Sequence, residues 1–151
     1  MPKGKERKSK SGLRGVTRLY AVQELYRAEM ENLPLERILE EALSKSEVYI
    51  SENISLFEID GDFFRSLLET AEKNLTALDA AIVRHLSANW KFDRMAPLMK
   101  SILRLGLAEL LYFPQIPKNV VFNEYIEISK AFFLENEVAF VNGLLNSVIS
   151  E

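Results

Sequence analysis

Seven basic side chains fall within the first eighteen residues: Lys3, Lys5, Arg7, Lys8, Lys10, Arg14 and Arg18, with Glu6 as the single acid among them. That stretch carries +6, so against a whole-chain charge of −3 the other 133 residues carry −9. A cationic segment on an acidic body points to a localised polyanion contact, although the same composition also suits a solubilising tail. Arg14 and Arg18 stand four apart and share one helical face, so the positive stretch continues from the N-terminal residues into the first helix.

Other chemistry is poorly supplied. His85 is the only histidine and there is no cysteine, so neither a metal cluster nor a Ser/His/Asp arrangement can be assembled in the usual form. Six glycines provide no phosphate-cradling loop. Asp60 and Asp62 flank Gly61 and constitute a turn and cap signal rather than a carboxylate pair. The expectation is a protein that is not an enzyme, without cofactor or metal. The lack of cysteine fits a reducing cytoplasm. No apolar run approaches the roughly 20 residues that cross a bilayer.

The elements that must position these groups are helical. Residues 1–12 lack apolar periodicity and are expected to form a disordered basic arm. A single all-α domain follows over 13–151, with an N-terminal bundle over about 13–78 and a C-terminal bundle over about 79–151, some seven helices in all. The first helix places Leu19, Val22, Tyr26 and Met30 in one stripe, widened by Tyr20, Ala21 and Leu25. Leu35, Ile38, Leu39, Ala42 and Leu43 make the second amphipathic face. Ser44–Ile59 has irregular apolar spacing and is expected to be a loop with one turn of helix at most. The next helix sets Phe64, Leu67, Leu68, Ala71, Leu75, Leu78 and Ile82 on one side, with a break or bend between Asn74 and Asp79. Residues 86–94 form a joint, with Trp90 anchoring the hinge between the bundles.

Ile102–Leu145 holds most of the apolar mass. Between Ile102 and Tyr112 only Arg104 and Glu109 interrupt it, which predicts a helix buried on nearly every side. Arg104 then requires a partner, for which Glu109, Glu124 and Asp79 are all available. Pro114 and Pro117 end that helix. Val121, Tyr125, Ile128 and Phe132 define the next, and Val138, Val141, Leu144, Leu145 and Val148 the last, with Asn136 as its N-cap. Gly143, inside that helix, suggests a close backbone approach.

Several stretches together resemble the NusB family of bacterial transcription antitermination factors: Thr17–Met30 (TRLYAVQELYRAEM), Asp79, Asn89–Arg94 (NWKFDR), Ile102–Leu110 (ILRLGLAEL), Ile116–Phe132 (IPKNVVFNEYIEISKAF) and Ala139–Leu145 (AFVNGLL). Their order covers most of the chain from Thr17 onwards. The sequence departs from the family pattern at Met99, Asn119, Phe133, Asn136 and Glu137. The resemblance implies two helical bundles, the N-terminal half lying against the C-terminal half. It also implies pairing with the small-subunit ribosomal protein known as NusE, and binding of single-stranded boxA RNA in ribosomal RNA leaders. The complex, with other Nus factors, would then act on elongating RNA polymerase; some relatives form homodimers.

On that reading Lys5, Arg7, Lys8, Lys10, Arg14, Arg18 and Lys118 are candidates for phosphate contacts. Asn123, Phe122 and Phe140, with Phe132 beside them, are candidates for reading unstacked bases. Those phenylalanines equally fit a helical core, and Asn123 equally fits a structural role in the Pro117 loop. Tyr26, Met30 and Met99 are candidates for the partner-protein surface, the first two alternatively completing the core stripe. Two other functions remain open. One is the RNA-binding module of an RNA methyltransferase, which requires a catalytic domain after the helices, where this sequence ends at Glu151. The other is a homodimeric, non-catalytic interaction protein.

Overall fold

The computed structural model describes residues 10–44, 47–49 and 56–151. These divide into two compact units, the described residues up to Glu69 and those from Thr70 to Glu151, the division falling within one helix. Seven α-helices, two short strands and a 3-10 turn make up the described regular structure.

In the first unit α1 spans Lys10–Met30 and α2 spans Leu35–Leu43. Tyr20, Ala21 and Val22 are buried on α1, as are Thr17 and Arg18, whereas Met30 is 55% exposed and Tyr26 36% exposed. The buried stripe is therefore centred on Thr17, Tyr20 and Ala21, and the expected line through Tyr26 to Met30 leaves the core before the helix ends. Glu24, one turn beyond Tyr20, instead starts an ionic cluster: Arg27 Nη2 bonds to Glu24 Oε1 at 2.9 Å and to Glu41 Oε1 at 2.6 Å. Asn32 terminates α1 in the left-handed region (φ 54°), where an asparagine carries less strain than most residues. The Leu33 amide then bonds back to the Ala28 carbonyl at 2.8 Å, satisfying a helix end that would otherwise lack partners. On α2, Ile38, Leu39 and Ala42 are buried, as their spacing predicts.

The stretch expected to be a loop contains a small antiparallel hairpin, β1 (Glu47–Tyr49) with β2 (Leu56–Glu58), pairing Val48 with Phe57. Three residues per strand give too short an alternation to register as a strand signal in sequence. The remaining residues of that stretch, 45, 46 and 50–55, lie outside the described residues. α3 (Gly61–Lys73) begins where the Asp60 carboxylate accepts the Phe63 amide at 3.0 Å, an N-cap contact.

The second unit is built round α5. α3 stops at Lys73 and α4 (Leu75–Arg84) follows after one residue, Asn74, whose side-chain amide donates to the Thr70 carbonyl at 2.9 Å. That side chain competes for the backbone carbonyl, which is why the long apolar pattern is two helices. The break rotates Leu75 off the common face and leaves it 39% exposed, while Leu78 and Ile82 stay buried. α5 (Pro97–Tyr112) starts with proline at its first position, where no amide is needed, and packs on α4, α6 and α7. Met99, Ser101–Leu103 and Leu105–Leu110 are all buried.

α6 (Lys118–Phe132) buries Val121, Tyr125 and Ile128, and Phe132 lies at its exposed end. α7 starts at Glu135, earlier than an Asn136 cap would place it; the Glu137 carboxylate accepts the Leu134 amide at 3.1 Å and closes the first turn. The glycines of α5 and α7 differ. A side chain at Gly143 would meet nothing within 4 Å, so close packing does not explain it. At Gly106 a Cβ would stand 3.3 Å from Tyr125 Cγ, and the close approach between α5 and α6 occurs there.

Candidate nucleic-acid and partner surfaces

In the first unit, α1 carries the described part of the cationic stretch. Lys5, Arg7 and Lys8 lie outside the described residues, and Lys10 opens α1. Arg14 and Arg18 do share a face, but that face is turned towards Phe63: the guanidinium carbons lie 4.7 Å and 5.2 Å from its ring centroid. Arg18 is 2% exposed, so its guanidinium is committed inward and is not presented as a phosphate ligand. Arg14 also lies 3.8 Å from the Asp60 carboxylate. The Asp60 amide donates to Thr17 Oγ1 at 2.8 Å, and that hydroxyl donates to the Leu13 carbonyl at 2.7 Å. One cap residue thus ties together the entry of α3 and the first turns of α1. The sequence shows Asp60 as a cap; its link to Thr17, 43 residues away, has no local signal.

Below this, Tyr20 stacks on Phe64 with centroids 5.3 Å apart. Burial pushes its phenol up to about 12, helped by the nearby Glu24 carboxylate. At the other end of α1, Tyr26 and Met30 are exposed beside the Arg27 cluster. Arg27 holds the exposed Glu41 carboxyl below its ordinary range, with Arg37 assisting. An exposed aromatic and a thioether beside fixed charges make a surface suited to a protein partner.

In the second unit, Lys118 and Asn123 on α6 are exposed and Phe122 is half-buried, so this turn of α6 offers a cation, an amide and a ring edge. Met99, by contrast, is 2% exposed within α5 and presents no contact surface. Phe140 stacks on Trp90 with centroids 3.9 Å apart and planes 16° from parallel. Trp90 is therefore a stacking residue inside this unit, a role that its place in an irregular joint did not suggest. Arg104 pairs with Asp79, one of its three expected partners, through contacts at 2.8 Å and 2.9 Å. Glu109 accepts from the Tyr125 hydroxyl at 2.9 Å. His85 closes α4 with Nε2 3.1 Å from the Glu151 carboxylate. Arg84 holds that carboxyl below its usual value.

Among the described residues no group of three or more histidines and carboxylates is placed to hold a metal, and no helix is long and apolar enough to cross a membrane. The fold and these surfaces define an all-α protein whose distinctive groups are cations, rings and amides suited to binding. Residues 16–150 match the model of the NusB family. The transcription antitermination protein NusB of Myxococcus xanthus is 39% identical over 137 residues, covering 91% of this chain and 94% of that one. Among solved structures, T. maritima NusB superposes with a TM-score of 0.75 at 30% identity, covering 96% and 94% of the two chains. A second, of the antitermination factors NusB and NusE in complex with dsRNA, gives 0.69 at 24% identity over 90% of this chain and 95% of that one. This chain belongs to the NusB family.

Proposed function

We propose that this chain is a transcription antitermination factor that binds boxA-type single-stranded RNA jointly with a NusE-type ribosomal protein. It then acts in the cytoplasm on RNA polymerase elongating through ribosomal RNA operons, together with other Nus factors. The family match over residues 16–150, to relatives named as transcription antitermination proteins, is the observation that carries this reading. The physical chemistry is compatible with it. Lys5, Arg7, Lys8, Lys10 and Arg14 supply phosphate contacts that fix register, while Lys118, Phe122, Asn123 and Phe140 supply the rings and amide that distinguish bases. Arg18 holds α1 against Phe63 and positions Arg14. Tyr26 and Met30 serve the ribosomal protein.

Fluorescence anisotropy with a boxA-type RNA and a scrambled RNA of equal length, with and without the ribosomal protein, tests the reading. The expected result is a preference for boxA that sharpens when the protein is added. Equal binding to both RNAs with no effect of the protein would overturn it.

A further inference from the structure

The joint between α4 and α5 combines rings with cations. Trp90 and Phe140 are both half-buried and stacked at 3.9 Å, so each ring is fixed in orientation while part of it stays accessible. Two residues on, Phe92 is half-buried beneath the Lys100 ammonium at 4.4 Å from its centroid, with the Arg104 guanidinium at 5.7 Å. Residues 70–151 carry eight basic and nine acidic groups, net −1, yet the segment from Lys91 to Arg104 holds four of those cations against the single acid Asp93, net +3. Arg104 is neutralised by Asp79. Among the described residues, no carboxylate pairs with Lys91, Arg94 or Lys100, and Lys91 and Arg94 are exposed.

We propose that Trp90, oriented by Phe140, is a nucleobase-stacking residue of this protein, and that Lys91, Arg94 and Lys100 take the phosphates flanking that base in single-stranded RNA. The proposal rests on the RNA-binding reading above and adds to it Trp90 and the cations that follow it in the second unit. A ring already held by a stacked neighbour loses little further freedom when a base is added. Base-on-aromatic stacking is tolerant of sequence and strong enough to matter for each base. Lys91, Arg94 and Lys100 all follow Trp90 within ten residues and supply the cations for phosphates next to a stacked base.

Trp90 is the only tryptophan, so its emission in the full chain reports on this site directly. The probes are a boxA-type RNA and an abasic ribose-phosphate oligomer of equal length. The RNA is expected to quench Trp90 with the midpoint seen by anisotropy, and the abasic oligomer to leave it unchanged. Trp90→Ala is expected to weaken RNA binding about tenfold, with Trp90→Phe restoring it to within about threefold. Lys91→Ala combined with Arg94→Ala should lower the slope of log K against log salt by about 1.4. RNA that binds by anisotropy while Trp90 emission stays flat would overturn the proposal and leave the functional reading intact. Emission that responds to the ribosomal protein but not to RNA would also overturn it, assigning the face to a protein. The quenching result needs no variant, so a misfolded Trp90→Ala cannot decide the matter. Absence of any RNA binding would overturn both the functional reading and this one.

Discussion

Two clusters in this molecule place cations on aromatic faces, and they do opposite things. In the first unit Arg14 and Arg18 sit over Phe63, with Arg18 buried and Asp60 and Thr17 fixing the surrounding backbone. In the second, Lys100 sits over Phe92 beside a partly open Trp90–Phe140 stack, with Lys91 and Arg94 in solvent. Residue types are nearly the same. Burial separates them: the desolvated Arg18 guanidinium on its ring contributes to folding, whereas the exposed Lys91 and Arg94 contribute little to stability and remain available to phosphates.

The largest effect expected from breaking this contrast is on the buried side. Arg18→Ala removes the ring contact and the packing of the side-chain stem and should lower stability by about 2–3 kcal/mol in chemical denaturation. An unchanged midpoint would show that Arg18 is not structural. Tyr20, in the same interior, provides a pH test. It ionises near 10 when unfolded and only at about 12 when folded, so the folded state disfavours the charged form. Stability should therefore be flat below pH 10 and fall by about 2 kcal/mol as pH rises towards 12. Tyr20→Phe should remove that component of the fall.

Thr17→Val keeps the volume but strips the Asp60 amide of its acceptor. A loss of about 1–2 kcal/mol is expected, and calorimetry would detect it as a lowered midpoint. On the exposed side, replacing Lys91 and Arg94 together by alanine should change stability by less than about 0.5 kcal/mol. A large loss in that double variant would abolish the contrast between the two clusters.

The same contrast explains what could be read in the sequence. The helices of Ile102–Leu145, the cap at Asp60 and the break at Asn74 follow from periodicity and turn chemistry within a few residues of each other, and all three are present. The family was legible because its stretches recur in order along the chain. What was not legible depends on partners distant in sequence. Arg104 had three plausible carboxylates, and only the fold shows the pair with Asp79. Gly143 and Gly106 look alike within apolar helices, yet only Gly106 faces a neighbouring ring. Arg14 and Arg18 share a face by spacing, but spacing cannot say that the face meets Phe63. Trp90 lies in a stretch without periodicity, so its stack with Phe140, fifty residues on, left no sequence signal.

In the proposed function, exposed cations bind RNA while buried ones hold the fold. Salt dependence of boxA RNA binding, compared between the full chain and a chain lacking residues 1–9, tests that most directly. With about four phosphate contacts the full chain should lose about 3 in log K per tenfold rise in salt. The shortened chain should bind more weakly with a flatter slope, at undiminished stability. Identical affinity and slope for the two chains would contradict the account.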